Sequence, residues 1–135
     1  MAIECTPLGL AEIDQAHEAF SLHLAVLRGA APAQQRDALA AFAAHCREHF
    51  DTEARLMAAT AFPQADCHLD EHAAVLRSLD EVLALDDLPP VLPRLVAALD
   101  DWFPAHVDHL DSAVAAWVVK QRTGGVPLVL RRLTP

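Results

Sequence analysis

The sequence predicts an all-α protein, an antiparallel up-down-up-down four-helix bundle with a C-terminal tail. Hydrophobic residues make up 53% of the chain, which has no Tyr and only four Gly, and its long apolar runs lack the β-branched and aromatic residues typical of strands. Four amphipathic stretches are joined by short segments rich in Pro or Gly, which favours antiparallel neighbours. At 135 residues the chain is expected to form one domain, residues 1–135, with a core over about 10–122 and a tail over 123–135.

The first two helices carry histidine within their apolar stripes. The first helix is expected over about 10–28, because Gly29 and then Pro32 end it. Its stripe has spacings of four, three, four and three and consists of Ile13, His17, Phe20, Leu24 and Leu27. The second helix is expected between Pro32 and Pro63. Its stripe consists of Leu39, Phe42, Cys46, His49, Glu53 and Leu56.

The last two helices repeat this pattern. The third is expected to begin near Asp66, a favoured N-cap residue type, and to end before Pro89. Its stripe consists of His68, His72, Val75, Leu79 and Val82. The fourth is expected over about 90–122, with the glycine pair at 124 and 125 closing it. Its inner face consists of Leu95, Leu99, Trp102 and His106.

Ionisable residues at these inner positions point to a metal site. A buried ionisable group is costly unless it is paired, hydrogen-bonded or bound to a metal. A lone inward histidine is usually an ordinary core residue, but here every helix contributes one, and two helices contribute pairs four residues apart. Such pairs share one helix face, about 40° apart. Neutral imidazole suits iron, zinc and copper, and a carboxylate can bridge two ions.

Composition also excludes some function classes. The formal net charge of −9 argues against nucleic acid as a partner, because no basic stripe is present to neutralise phosphates. No apolar run reaches about 18 residues and no leader-like segment opens the chain, so neither a membrane span nor a signal peptide is expected. The three cysteines, Cys5, Cys46 and Cys67, are odd in number and form no CxxC motif. This pattern favours a reducing, cytoplasmic location.

The motifs taken together resemble those of the hemerythrin family, and most closely its bacterial single-domain members. The family pattern is a histidine shortly after "ID", then HFxxE, HxxxH and W-x3-H-x4-D. In this chain the motifs read "IDQAH", "HFDTE", "HLDEH" and "WFPAHVDHLD", in that order. The resemblance implies a di-iron centre with an oxo or hydroxo bridge. It implies that one iron is held by His68, His72 and His106, that the second is held by His17 and His49, and that Glu53 and Asp111 bridge them.

That ligand set has a functional consequence. With the bridges counted, the three-histidine iron has six ligands and the two-histidine iron has five, so one position stays open. The resemblance therefore implies reversible binding of dioxygen or a similar diatomic ligand, for storage, transport or scavenging, and favours a carrier over an enzyme. The side chains expected to line this pocket are Phe20, Phe50, Trp102, Phe103, Val107 and Leu110. A ferritin-like enzyme is disfavoured, since the chain has no Glu-x-x-His motif.

Two alternative functions remain open on the sequence. One is a di-iron peroxidase or nitric-oxide-handling enzyme that uses the same ligands. The other is a metal-responsive helical binding module that holds zinc or senses iron. The remaining histidines, His23, His45 and His109, are expected to face solvent, although His45 and His109 lie close enough to the ligands to support them instead.

The spacing of the last two ligands conflicts with a regular helix. Five residues turn about 500°, which leaves Asp111 about 140° from His106, whereas regular spacing points His109 inward. One extra residue in the turn, a π-bulge, removes the conflict, and such bulges favour functional sites. The sequence therefore predicts a non-α turn or kink between about 102 and 111, with Asp111 inward and His109 on the flank.

Two further features accompany this predicted turn. Pro104 has no backbone N–H for an ordinary helical hydrogen bond, so it favours irregular geometry nearby. Beyond the turn, the inner face of the fourth helix is expected to resume through Val114 and Val118.

Overall fold

The computed structural model describes residues 7–124, and all regular structure within that range is helical. Its elements are α1 (Ala11–Gly29), a 3-10 turn (Pro32–Gln34), α2 (Gln35–Ala59), α3 (Ala65–Leu83), α4 (Leu92–His106), a π turn (Val107–Asp111) and α5 (Ser112–Thr123). We call α4, the π turn and α5 together the fourth rod. No helix among the described residues is both long and apolar enough to cross a bilayer. Most of the predicted tail lies outside the described residues.

The helices form the predicted four-helix bundle, which confirms the fold class. α1 packs against α2, and α2 packs against α3. Arg122 near the end of α5 donates to Glu12 at the start of α1, with an Nη2–Oε2 distance of 2.7 Å. Arg28 at the other end of α1 pairs with Asp100 of α4. α1 and the fourth rod therefore run antiparallel, with α1 lying beside the rod from about residue 100 to residue 122.

The cap at the start of α3 differs from the sequence-based expectation, whereas its end agrees with it. The expected N-cap at Asp66 is wrong, because α3 begins at Ala65 and Gln64 occupies the cap position without a side-chain hydrogen bond. Asp66 lies in the first turn, where a carboxylate interacts favourably with the helix dipole. α3 also ends at Leu83, several residues before the prolines. There the Arg36 guanidinium donates to the carbonyl of Leu83 at 2.7 Å, so a side chain from α2 satisfies a terminal carbonyl.

The core consists of two apolar clusters. The larger one includes Phe20, Phe42, Leu79, Leu99 and Phe103, among other residues. The smaller one consists of Leu10, Ile13, Met57, Phe62, Val114, Ala115 and Val118. Every predicted stripe residue of α1 is buried, whereas Leu56 and Val82 are half-buried and Met57 takes the inward place at the end of α2.

The boundary between the clusters falls at the same level on three helices. On α1 it lies between Ile13 and Phe20, on α2 between Phe50 and Met57, and on the fourth rod between Val107 and Val114. His17, Glu53 and Asp111 lie within those intervals, and the buried side chains of His49 and His106 lie one residue before theirs. The fold therefore places a polar layer across an otherwise apolar bundle.

Candidate metal centre

The π turn brings Asp111 to the inner face of the fourth rod. The backbone N–H of Ser112 donates to the carbonyl of Val107, five residues back instead of four. The turn therefore accommodates one extra residue, and Asp111 has no exposed surface while His109 is exposed. The inner face then resumes through Val114 and Val118, both buried. These observations confirm the predicted non-α turn and its consequences for Asp111 and His109.

All seven residues expected as ligands lie in the polar layer, each with at most 4% of its surface exposed. Their ligand-type atoms form two groups, and within each group the atoms lie within 4.8 Å of one another. The first group is Glu53, His68, His72, His106 and Asp111. The second group is His17, His49, Glu53 and Asp111. Both carboxylates thus belong to both groups.

Glu53 directs one oxygen atom to each group. Its Oε1 lies 3.0 Å from His68 Nε2 and 3.6 Å from His72 Nε2. Its Oε2 contacts His49 Nε2, four residues earlier on α2. One carboxylate therefore faces histidines of both groups at once.

Asp111 repeats this division from the opposite helix. Its Oδ1 lies 2.9 Å from His68 Nε2 and 3.1 Å from His106 Nε2. Its Oδ2 lies 2.7 Å from His17 Nε2 on α1. The two carboxylates consequently span the same pair of positions, and all five histidines turn Nε2 toward the interior.

Several of these close contacts are not hydrogen bonds. His49 Nε2, His68 Nε2, Asp111 Oδ1 and both carboxylate oxygens of Glu53 have no hydrogen-bond partner among the described residues. A buried polar atom without a partner costs about 1–3 kcal/mol. The Nε2 atoms of His72 and His106 also face each other at 3.1 Å. Cations would satisfy these atoms together, and a nitrogen and oxygen donor set suits iron, zinc or copper.

The electrostatics also fit cation binding. Burial raises the pKa of Asp111, but the adjacent imidazoles of His106, His17 and His68 outweigh it and hold that pKa well below its usual range. Burial lowers the pKa of His72 to about 2, so this imidazole is neutral at physiological pH. Burial lowers the pKa of His68, yet the adjacent carboxylates of Asp111 and Glu53 raise it overall, to about 9. A cation in the first group would take the place of that proton.

Aromatic side chains pack against the candidate ligands. Phe50 stacks on His72, with ring centroids 3.9 Å apart and planes at 7°. Phe103 meets the edge of His17 at a centroid distance of 5.4 Å and stacks on Phe20 at 3.9 Å. The other residues expected around the pocket differ in burial: Val107 is buried, whereas Trp102 and Leu110 are half-buried.

Glu71, which was not among the residues expected at the site, contacts the candidate ligand His106. Its Oε1 lies 2.9 Å from His106 Nδ1 and accepts the indole N–H of Trp102 at 2.9 Å. The Trp102 ring also stacks on His106, with centroids 4.3 Å apart. The sequence feature that could have indicated Glu71 is its position directly before His72 in "HLDEH".

Of the three remaining histidines, only His109 is exposed as expected. His23 and His45 are half-buried, so the expectation that they face solvent is wrong for both. His45 Nε2 lies 3.1 Å from the carbonyl oxygen of Ala16, and its ring stands between those of His23 and His49, at centroid distances of 5.1 and 5.6 Å. His45 therefore packs beside His49, one of the candidate ligands.

Comparison with known proteins agrees with this arrangement. The family described as Hemerythrin HHE cation binding domain matches residues 8–118, a range that contains all seven residues of the two groups. A bacteriohemerythrin from Ralstonia nicotianae is 38% identical over 120 residues, which cover 87% of this chain and 88% of that relative.

Proposed function

Because this chain belongs to the hemerythrin family, we propose that its polar layer binds two iron ions and that the centre reversibly binds dioxygen. One ion would be held by His68, His72 and His106, the other by His17 and His49, and Glu53 and Asp111 would bridge them. The observation that carries the proposal is the division of each carboxylate, with one oxygen toward each group. A single mononuclear site would have no use for that arrangement.

The two groups are unequal, which supports a ligand-binding role. One contains three imidazoles and the other two, so the second ion would have one fewer protein ligand. An open coordination position is what small-molecule binding at a metal requires. An iron pair held here would supply that position and the electrons needed to bind dioxygen.

The protein around the two-histidine group favours holding a diatomic molecule over transforming a larger substrate. The Phe103 ring packs against His17, and Phe20 stacks behind Phe103. These buried rings exclude water and leave little room for an organic substrate. Exclusion of water also limits proton delivery, which reductive cleavage of the O–O bond would need. The name of the Ralstonia relative, bacteriohemerythrin, supports the same direction.

The proposal includes storage, transport or scavenging of oxygen as the role and the cytoplasm as the location. Cys46 and Cys67 are both free thiols, the state expected in a reducing compartment.

The proposal is tested by recording the visible absorption spectrum through cycles of oxygenation and deoxygenation. Protein loaded with iron and reduced without air is exposed to air, flushed with argon and exposed again, with iron counted per chain. A visible charge-transfer band that appears, disappears and returns, at two irons per chain, supports the proposal. Rapid bleaching with consumption of added hydrogen peroxide would instead indicate a peroxidase. Two tightly held zinc ions and no optical response would indicate a metal-responsive module. His109→Ala, at an exposed position in the π turn, is the matched control.

A further inference from the structure

Glu71 links α3 to the polar layer through a closed set of contacts. Its Oε1 accepts the indole N–H of Trp102 at 2.9 Å and lies 2.9 Å from His106 Nδ1. Trp102 and His106 are four residues apart on α4, and their rings stack at a centroid distance of 4.3 Å and an interplanar angle of 26°. One carboxylate oxygen thus holds both rings of the stack by their edges.

This contact distinguishes His106 from the other four candidate ligand histidines. The Nδ1 atoms of His17, His49, His68 and His72 are buried and have no hydrogen-bond partner among the described residues. His106 Nδ1 instead faces a carboxylate. Donation from Nδ1 to an acceptor fixes the tautomer in which Nε2 carries the lone pair, and His106 Nε2 points into the first group.

We propose that Glu71 is a positioning residue that orients His106 and strengthens its electron donation to the three-histidine ion. This inference rests on the proposed function for its iron readouts. Because a carboxylate behind an imidazole makes the ring more basic, one ion of the pair receives donation that the other lacks. Glu71 therefore makes the two metal positions electronically unequal, in addition to their different histidine counts.

The position of Glu71 suits this role. Its side chain is 41% exposed, whereas that of His106 is 1% exposed. The carboxylate therefore keeps part of its hydration and avoids the full cost of burying a charge. The Trp102 ring stacks on His106, and Glu71 accepts the Trp102 indole N–H. Glu71 therefore also anchors the aromatic ring that covers His106.

Three variants separate the contributions of the Glu71 acceptor, its negative charge and the Trp102 hydrogen bond. Glu71→Leu removes the acceptor, Glu71→Gln keeps a neutral acceptor oxygen, and Trp102→Phe keeps a stacked ring but removes the indole N–H. Glu81→Gln, an exposed change on the same helix, is the control. We expect Glu71→Leu to weaken retention of one iron by about 10–100-fold against a chelator. We expect the midpoint potential to rise in the order wild type, Glu71→Gln, Glu71→Leu, because a weaker donor stabilises the oxidised iron less.

A purely structural role would predict a different result. Loss of an α3–α4 contact would lower thermal stability in Glu71→Leu, but the potential of Glu71→Gln would stay at the wild-type value. Wild-type iron retention and potential in both Glu71 variants would overturn the inference. If the wild type held no iron, the proposed function would fail instead.

A zinc-loaded sample keeps the two questions separate. Zinc accepts the same imidazole and carboxylate ligands and is diamagnetic, so proton NMR reports the His106 Nδ1–H directly. We expect a downfield, slowly exchanging proton in the wild type and in Trp102→Phe, and rapid exchange in Glu71→Leu. An equally protected proton in Glu71→Leu would overturn the inference without reference to iron or oxygen.

Discussion

Deleting His109 tests whether the π turn is needed only for the five-residue spacing of the last two candidate ligands, His106 and Asp111. In a regular α-helix that spacing places Asp111 about 140° from His106, whereas a spacing of four places it about 40° away. The latter is the relation of His49 to Glu53, which already converge in this layer. Because His109 is exposed, its deletion removes the extra residue of the π turn without removing a side chain from the core.

The deletion is therefore expected to convert the π turn to α-helix and to keep the site. α5 would retain its orientation, since the bulge and the residue disappear together. Restoring regular backbone hydrogen bonding is worth about 0.5–1.5 kcal/mol, so the free energy of unfolding should stay the same or rise by that amount. Urea unfolding of the metal-free protein measures the change in stability. The number of irons bound per chain measures whether the site is kept.

The control is deletion of Asp101, which is exposed on α4. α4 is regularly helical there, so this deletion turns the preceding segment by about 100° relative to the ligands and shifts it by about 1.5 Å. Leu95 and Leu99 would then leave the core, and we expect strong destabilisation. The reasoning is refuted if deletion of His109 removes iron or destabilises the bundle as severely as deletion of Asp101.

Three further predictions concern the same layer and the core beside it. Asp111→Ala and Glu53→Ala should each lower iron from two per chain, because each carboxylate faces both groups; full metal content by atomic absorption would contradict this. Phe50→Ala should destabilise the metal-free protein by about 3–5 kcal/mol in urea unfolding, since this buried ring stacks on a ligand imidazole; a loss below about 1 kcal/mol would refute it. Burial raises the pKa of Cys46 to about 12. In a Cys5→Ser variant, only the exposed Cys67 thiol should therefore react with a disulfide reagent in folded protein at pH 8. After unfolding, both Cys46 and Cys67 should react.

Local sequence was sufficient for the four helices and for the π turn. Stripes with spacings of three and four residues define which face of each helix avoids water, and that preference does not depend on the other helices. The π turn was predictable for a related reason, since the conflict between His106 and Asp111 arises within one helix. The sequence predicted that α3 ends before Pro89 but not that it ends at Leu83, because the side chain that satisfies the Leu83 carbonyl comes from Arg36 of α2.

The seven residues of the polar layer were visible in the sequence as motifs, and the resemblance to hemerythrins suggested which of them belong together. Only the tertiary structure decided how the two oxygens of Glu53 and Asp111 divide between the groups. It alone revealed that Glu71 reaches His106 and Trp102, and that His45 lies against His49. The physical reason is that these contacts join different helices. Their distances depend on the relative rotation and height of packed helices, which the whole core determines and which no single stripe encodes.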